Sequence, residues 1–78
     1  MKIKIVYCNK ILYQKNIVSI IAPGLYGYFQ ILKNHAPFIS VLGNGIIKFY
    51  IENIDQFQEI KIEGGFLQVK KNFILVIL

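Results

Sequence analysis

The chain has 78 residues, which indicates a single domain spanning residues 1–78. Hydrophobic residues make up 55% of it, but its longest apolar runs, residues 17–22 and 73–78, fall short of the roughly 18 consecutive apolar residues that a membrane-spanning helix needs. The net charge of +5 comes from scattered lysines without any arginine, which argues against a surface that reads nucleic-acid bases. We interpret the lysines as solubilising charges that protect strand edges.

Side chains that could carry chemistry are few and do not converge. The single cysteine, Cys8, excludes an internal disulfide, and Cys8 and His35 lack the spacing of metal ligands. Glu59 and Glu63 fall on one face of a predicted strand, and we interpret them as part of a solvated face because no pocket-forming loop accompanies them. The sequence therefore predicts no catalytic site, no cofactor and no metal.

The first part of the chain has the two-residue period of β-strands. Residues 2–5 alternate lysine and isoleucine and predict a half-buried strand, which the Asn-Lys pair at 9–10 interrupts. Residues 11–15 and 17–22 are rich in β-branched residues and predict two further strands.

Turn signals divide the middle of the chain. The Pro-Gly pair at 23–24 ends a strand, and residues 24–29, with their glycines and aromatics, predict either a bulged strand or a bent loop. Residues 43–45, Gly-Asn-Gly, predict a tight hairpin, since Asn-Gly tolerates positive φ at both turn positions. A strand over residues 46–51 and a turn over 53–55 follow.

The last part of the chain alternates again. Residues 58–63 predict a strand with Ile60 and Ile62 facing inward, and the Gly-Gly pair at 64–65 predicts a sharp bend or bulge. The remaining residues predict a hairpin that turns at residues 71–72. Many short strands with closely spaced turns, and no amphipathic helix, indicate an all-β sandwich or barrel.

Four segments, in order along the chain, resemble the ATP synthase epsilon-subunit family. They are residues 22–40 (APGLYGYFQILKNHAPFIS), 42–47 (LGNGII), 64–69 (GGFLQV) and 72–76 (NFILV). The segments follow the family's order almost without gaps, so the resemblance covers the whole chain. It implies a flattened antiparallel β-sandwich of two sheets, with short strands joined by hairpins.

The chain also departs from the family's pattern at named positions. Tyr28 stands where the family usually has Glu, and Gln30 where it usually has Gly. Lys33 and Asn34 replace Pro-Gly, and Asn44 replaces Pro. Asparagine can supply the positive φ of a glycine, so the turns can still form. Tyr28 removes a charge from the loop that faces the membrane ring in the family, and an aromatic contact could substitute for it.

The resemblance implies a non-catalytic subunit of the central stalk, the rotor, of a rotary ATP synthase. Such a subunit couples proton-driven rotation of the proteolipid c-ring to the gamma subunit for ATP synthesis. The implied contacts with the rotor ring are Tyr26, Gly27, Tyr28, Phe29 and Gln30, of which we expect Phe29 to pack inward. The implied contacts with the gamma subunit are His35, Ala36, Pro37 and Ser40. His35 has a second, compatible interpretation as a histidine that tethers its own turn.

The resemblance further implies a peripheral protein at the cytoplasmic face of the bacterial inner membrane, or at the equivalent organellar membrane. Attachment would run only through partner subunits. Full-length family members carry a C-terminal helical hairpin after the sandwich. From the length of this sequence we expect that hairpin to be absent, and with it ATP binding and inhibition of hydrolysis.

Two alternatives belong to other functional classes. A small lysine-rich β-barrel that binds nucleic acid would need exposed stacking aromatics in a basic groove and a steep salt dependence of binding. A small enzyme is disfavoured by the shortage of reactive side chains. The interpretation that we carry forward involves no nucleic acid.

Overall fold

The computed structural model describes all residues, 1–78, and contains six β-strands and no helix. The strands are β1 (Lys2–Tyr7), β2 (Lys10–Gly24), β3 (Gly27–Leu32), β4 (Phe38–Ile51), β5 (Phe57–Lys70) and β6 (Phe73–Ile77). The all-β prediction is therefore confirmed. No helix long and apolar enough to cross a lipid bilayer is present.

The strands form one sheet that closes on itself. Their order is β1-β6-β5-β4-β2-β3, and an additional pairing of β1 with β2 closes a barrel of five strands, with β3 extending β2 outside it. All pairings are antiparallel except β1–β6, which is parallel. The expectation of a purely antiparallel arrangement was wrong for this pair. An odd number of strands cannot alternate direction around a closed ring, so one neighbouring pair must be parallel.

The predicted hairpin at residues 43–45 does not form, and that prediction was wrong. Strand β4 continues through these residues, and Asn44 lies opposite Glu63 of β5 in an unbroken antiparallel register. Next to Glu63 in β5, Gly64 and Gly65 adopt positive φ of 90° and 145°. The glycines of both strands therefore allow β4 and β5 to bend together around the barrel. Glycine within a strand can mark such a bend as well as a turn between strands.

Strand lengths also differ from the prediction of short strands. β2 has 15 residues, and β4 and β5 have 14 each. The predicted pieces 11–15 and 17–22 are parts of β2, which ends at Gly24 as predicted. A two-residue turn follows, and Gly27 pairs with Gly24 to begin β3. Neither alternative for residues 24–29, a bulged strand or a bent loop, forms: these residues make a tight hairpin whose strands pair without a bulge.

Two of the predicted turns are confirmed. The turn over residues 53–55 joins β4 to β5, and Asn53 has a φ of 64°. The final hairpin turns at Lys71 and Asn72, whose φ values are 49° and 59°. Positive φ at both central positions is the geometry that a tight hairpin needs to match the twist of its strands.

The core consists of inward-facing residues from every strand. It contains 14 buried hydrophobic side chains, most of them isoleucine. Phe49 of β4 is the largest fully buried side chain, and the ring of Tyr13 meets it edge-on with 5.8 Å between centroids. Ile62 is buried and Ile60 is half-buried, as the alternation in β5 predicts.

Candidate functional site

The β2–β3 hairpin carries the residues expected to contact the rotor ring. Tyr26 is at its tip and its side chain is fully exposed. Gly27 beside it has a φ of 132° and open space where a side chain would stand. Gln30 is exposed farther along β3, whereas Phe29 is half-buried and packs against the core. The hairpin therefore presents one free aromatic residue at its tip and anchors another beneath it.

Tyr28 in the same hairpin has a partner within the chain. Its ring remains more than half exposed, but its hydroxyl oxygen accepts a hydrogen bond from the backbone N–H of Ile46 at 3.0 Å. A Cβ at Gly45 would lie 2.5 Å from that oxygen. The tyrosine thus lies across the bent part of β4, where only glycine leaves room for it.

The β3–β4 connection carries three of the residues expected to contact the gamma subunit. His35, Ala36 and Pro37 are all exposed. The Nδ1 of His35 donates a hydrogen bond to the carbonyl oxygen of Ala36 at 2.7 Å, and its ring meets Phe38 edge-on with 5.7 Å between centroids. The tethering role of His35 is therefore present, and its exposed ring edge is free for a partner.

Ser40, the fourth of these residues, is placed differently. It pairs with the fully buried Leu67, so its side chain belongs to the inward-facing row of β4. Its Oγ donates to the carbonyl oxygen of Val41 at 3.0 Å. The structure brings His35, Ala36 and Pro37 together on the surface and does not bring Ser40 there with them.

An exposed apolar surface beside this connection was not predicted as a site. We call it the apolar face, and it consists of outward-facing side chains of β4, β5 and β6: Ile39, Val41, Phe66, Leu75 and Ile77. Phe66 is the centre, since it pairs with Val41 on one side and Ile77 on the other. The sequence contained a signal for this surface. Apart from Ser40, residues 38–42 and 73–78 are all apolar, so both faces of these strands carry apolar side chains instead of alternating with polar ones.

A reciprocal pair of amides joins two turns that are far apart in sequence. The N–H of Asn34 donates to Oδ1 of Asn72 at 2.8 Å, and Nδ2 of Asn72 donates to Oδ1 of Asn34 at 3.1 Å. The carbonyl oxygen of Asn72 also accepts from the N–H of Lys2 at 3.0 Å. We call the Asn34–Asn72 pair the amide clamp. It fixes the loop that carries His35 to the β5–β6 turn.

The most conspicuous contact between a lysine and aromatic rings lies elsewhere on the barrel. The Nζ of Lys48 is 4.1 Å from the ring centroid of Phe57 and 5.6 Å from that of Tyr50. The ammonium group therefore covers aromatic faces that a nucleic-acid base would need for stacking. This geometry gives no support to the nucleic-acid alternative.

Comparison with known proteins identifies the family. The family described as ATP synthase, Delta/Epsilon chain, beta-sandwich domain matches residues 1–78. An ATP synthase epsilon chain of Leptospira interrogans is 38% identical over 77 residues, covering 99% of this chain and 59% of its own length. An ATP synthase epsilon chain of Chlorobium limicola is 41% identical over 73 residues, covering 91% of this chain and 80% of its own length.

Solved structures agree on the fold. A chain in the mitochondrial ATP synthase of Euglena gracilis, in an assembly described as OSCP/F1/c-ring, superposes with a TM-score of 0.89 at 18% identity, over 96% of this chain and 48% of that one. A chain in the mitochondrial ATP synthase of Tetrahymena thermophila, described as central stalk/c-ring, gives 0.82 at 17% identity, over 99% and 61%. This chain belongs to the family of ATP synthase delta/epsilon-chain β-sandwich domains.

Proposed function

We propose that this chain is a non-catalytic rotor subunit of the central stalk of a rotary ATP synthase. It couples proton-driven rotation of the c-ring to the gamma subunit, so that rotation drives ATP synthesis. The family match over residues 1–78 supports this proposal. The observation that carries it is that one closed barrel presents two separate exposed surfaces, the Tyr26 tip and the apolar face with the adjoining His35 loop.

The first surface is the proposed contact with the rotor ring. Tyr26 is free of the core and stands at the end of a hairpin, where an aromatic ring can enter a groove of a partner. Tyr28, Gly27 and Gln30 border the tip, and Phe29 anchors it through an edge-on contact with Phe38 at 5.4 Å between centroids. Because the anchor belongs to the core, a force applied at the tip reaches the whole barrel.

The second surface is the proposed contact with the gamma subunit. It combines His35, Ala36 and Pro37 with the apolar face, most of whose side chains are exposed. Neighbouring exposed apolar side chains are typical of interaction surfaces. Ser40 contributes indirectly. Its hydroxyl donates to the carbonyl oxygen of Val41 and so stabilises the β4 segment from which Ile39 and Val41 point outward. An apolar centre with a polar margin is the composition of a protein interface.

Torque transmission requires a stiff body between the two surfaces. Strand β3 leads from the tip to the His35 loop over about 17 Å of extended backbone. We propose that the barrel is flattened into two facing layers, because β2, β4 and β5 are long enough to pass from one layer to the other. A core packed as densely as a crystal deforms little under load.

The proposed location follows from the partners. The protein is peripheral, at the cytoplasmic face of the bacterial inner membrane or the equivalent organellar membrane. It is held there by the gamma subunit and the c-ring and has no nucleic-acid partner.

A pull-down with the tagged chain from gently solubilised membranes tests the proposal. We expect mass spectrometry to identify the gamma subunit, the catalytic subunits and the c-ring. Ile39→Asp should abolish recovery of the gamma subunit, whereas the same change at Ile54, another exposed isoleucine in the β4–β5 turn, should not. Recovery of nucleic acid or unrelated proteins in place of these subunits would contradict the proposal.

A second experiment isolates the ring contact, because the gamma subunit itself could carry the ring into a pull-down. The purified chain is titrated against detergent-solubilised c-ring without the gamma subunit. Tyr26→Ala should lower ring binding strongly, and Ile39→Asp should leave it unchanged. Equal ring binding by wild type and Tyr26→Ala would contradict the placement of the ring at the tip.

A further inference from the structure

The pairing between β2 and β4 is interrupted next to the hairpin. Ile21 pairs with Lys48, and the next pair along is Gly24 with Leu42. Two residues of β2 therefore face five residues of β4, residues 43–47, and this part of β4 arches away from its neighbour. One of the two β2 residues, Pro23, has no backbone N–H to offer.

The arch leaves a backbone donor that the β2 strand does not satisfy. Ile46 lies in the stretch of β4 that has no β2 partner, and the hydroxyl of Tyr28 accepts a hydrogen bond from its N–H at 3.0 Å. Tyr28 is the cross-strand partner of Pro23 in the β2–β3 pairing, so it reaches Ile46 by crossing over the proline. The bond spans 18 residues of sequence and joins the hairpin to a strand with which β3 has no ladder.

The packing at the crossing point fits the same arrangement. A Cβ at Gly45 would lie 2.5 Å from the Tyr28 hydroxyl oxygen and 2.9 Å from Cβ of Pro23. Both distances are shorter than real Cβ contacts, so a side chain at position 45 would displace the tyrosine or the proline. The lack of a side chain at Gly45 thus leaves the space that the Tyr28 hydroxyl occupies.

We propose that Tyr28 is a positioning residue that fastens the β2–β3 hairpin to the arch of β4 and thereby sets the direction in which the Tyr26 tip projects. Its hydroxyl serves the chain itself, and the tip makes the outward contact. The fastening is a property of the isolated fold. The effect of the fastening on ring binding rests on the proposed ring contact.

The test of the fastening uses the isolated protein and two tyrosines of one hairpin. Tyr28→Phe removes only the hydroxyl, and Tyr26→Phe removes the hydroxyl of a fully exposed ring as the matched control. Because a typical hydrogen bond is worth up to about tenfold in an opening equilibrium, we expect Tyr28→Phe to speed amide exchange at Ile46 by roughly five- to tenfold. Tyr26→Phe should leave that exchange unchanged. Equal exchange at Ile46 in the two variants would overturn the inference.

The link to the ring is measured separately, by titration of the purified chain against solubilised c-ring. Tyr28→Phe should weaken ring binding by several-fold even though the ring contact at Tyr26 is intact, and Tyr26→Phe should weaken it less. If Ile46 exchange responds to Tyr28→Phe while ring binding responds to neither variant nor to Tyr26→Ala, the fastening stands and the proposed ring contact fails.

Discussion

The amide clamp allows a quantitative test of what holds the His35 loop in place. Both asparagines adopt positive φ, 65° at Asn34 and 59° at Asn72, so glycine can replace either one without backbone strain. Asn72→Gly removes both side-chain hydrogen bonds of the clamp, and Asn34→Gly removes one, since the backbone N–H of residue 34 remains. Asn53→Gly is the matched control, because Asn53 has a φ of 64° in an exposed turn outside the clamp.

The expected magnitudes follow from the number of bonds lost. An exposed hydrogen bond contributes about 0.5–1 kcal/mol to the free energy of unfolding. Relative to Asn53→Gly, Asn72→Gly should therefore lower that free energy by about 1–2 kcal/mol and Asn34→Gly by about half as much. In a domain of this size each kcal/mol corresponds to about 4–8 °C in the thermal midpoint.

The assay is urea unfolding followed by circular dichroism, with amide exchange of the residues around His35 as a local readout. Faster exchange in the His35 loop of Asn72→Gly, with unchanged exchange in the β4–β5 turn, would place the effect at the clamp. If Asn72→Gly and Asn53→Gly unfold at the same urea concentration, the clamp contributes nothing and the reasoning is refuted.

Five further substitutions test the fold by urea unfolding. Gly45→Ala should lower the free energy of unfolding by about 1–3 kcal/mol, because the new Cβ meets the proline of β2 and the fastening tyrosine. Gly43→Ala should lower it less, because the nearest neighbour of that Cβ is 3.5 Å away. Equal losses in the two variants would contradict this. Phe49→Ala should lower the free energy of unfolding by about 3–5 kcal/mol, because Phe49 is fully buried. Phe66→Ala should lower it far less, because Phe66 lies on the exposed apolar face. Asn44→Val should change the free energy of unfolding by at most about 0.5 kcal/mol, because Asn44 lies in an extended strand. A large loss would indicate that Asn44 lies in a turn, as the hairpin prediction had it.

Local turn chemistry predicted one hairpin correctly and another wrongly. Lys71-Asn72 turns the chain as expected, but Asn44-Gly45, a stronger turn signal by composition, lies within β4. The difference is not local, because Leu42 lies opposite Gly65 and Asn44 opposite Glu63, so β4 stays paired with β5 where the positive-φ glycines of β5 allow a bend. A single sequence does not reveal which segments will face each other across a sheet.

The sequence predicted those parts of the candidate site that depend on local motifs. It did not predict the parts that depend on contacts between residues far apart in the chain. The family resemblance implied contacts at Tyr26 and at His35, and both residues are exposed. The bonds that hold them, from Tyr28 to Ile46 and from Asn34 to Asn72, cross 18 and 38 residues and have no periodic signature. The inward placement of Ser40 follows from the register of β4 against β5, which the predicted hairpin had obscured.

The central claim is that one rigid barrel contacts the ring with its hairpin tip and the gamma subunit with its apolar face. Site-specific photo-crosslinking in the intact membrane complex tests it most directly, with a benzophenone side chain placed at Tyr26 in one variant and at Ile39 in another. The account predicts that position 26 crosslinks to a c-ring subunit and position 39 to the gamma subunit. Crosslinking of both positions to the same subunit, or of neither to the rotor, would contradict it.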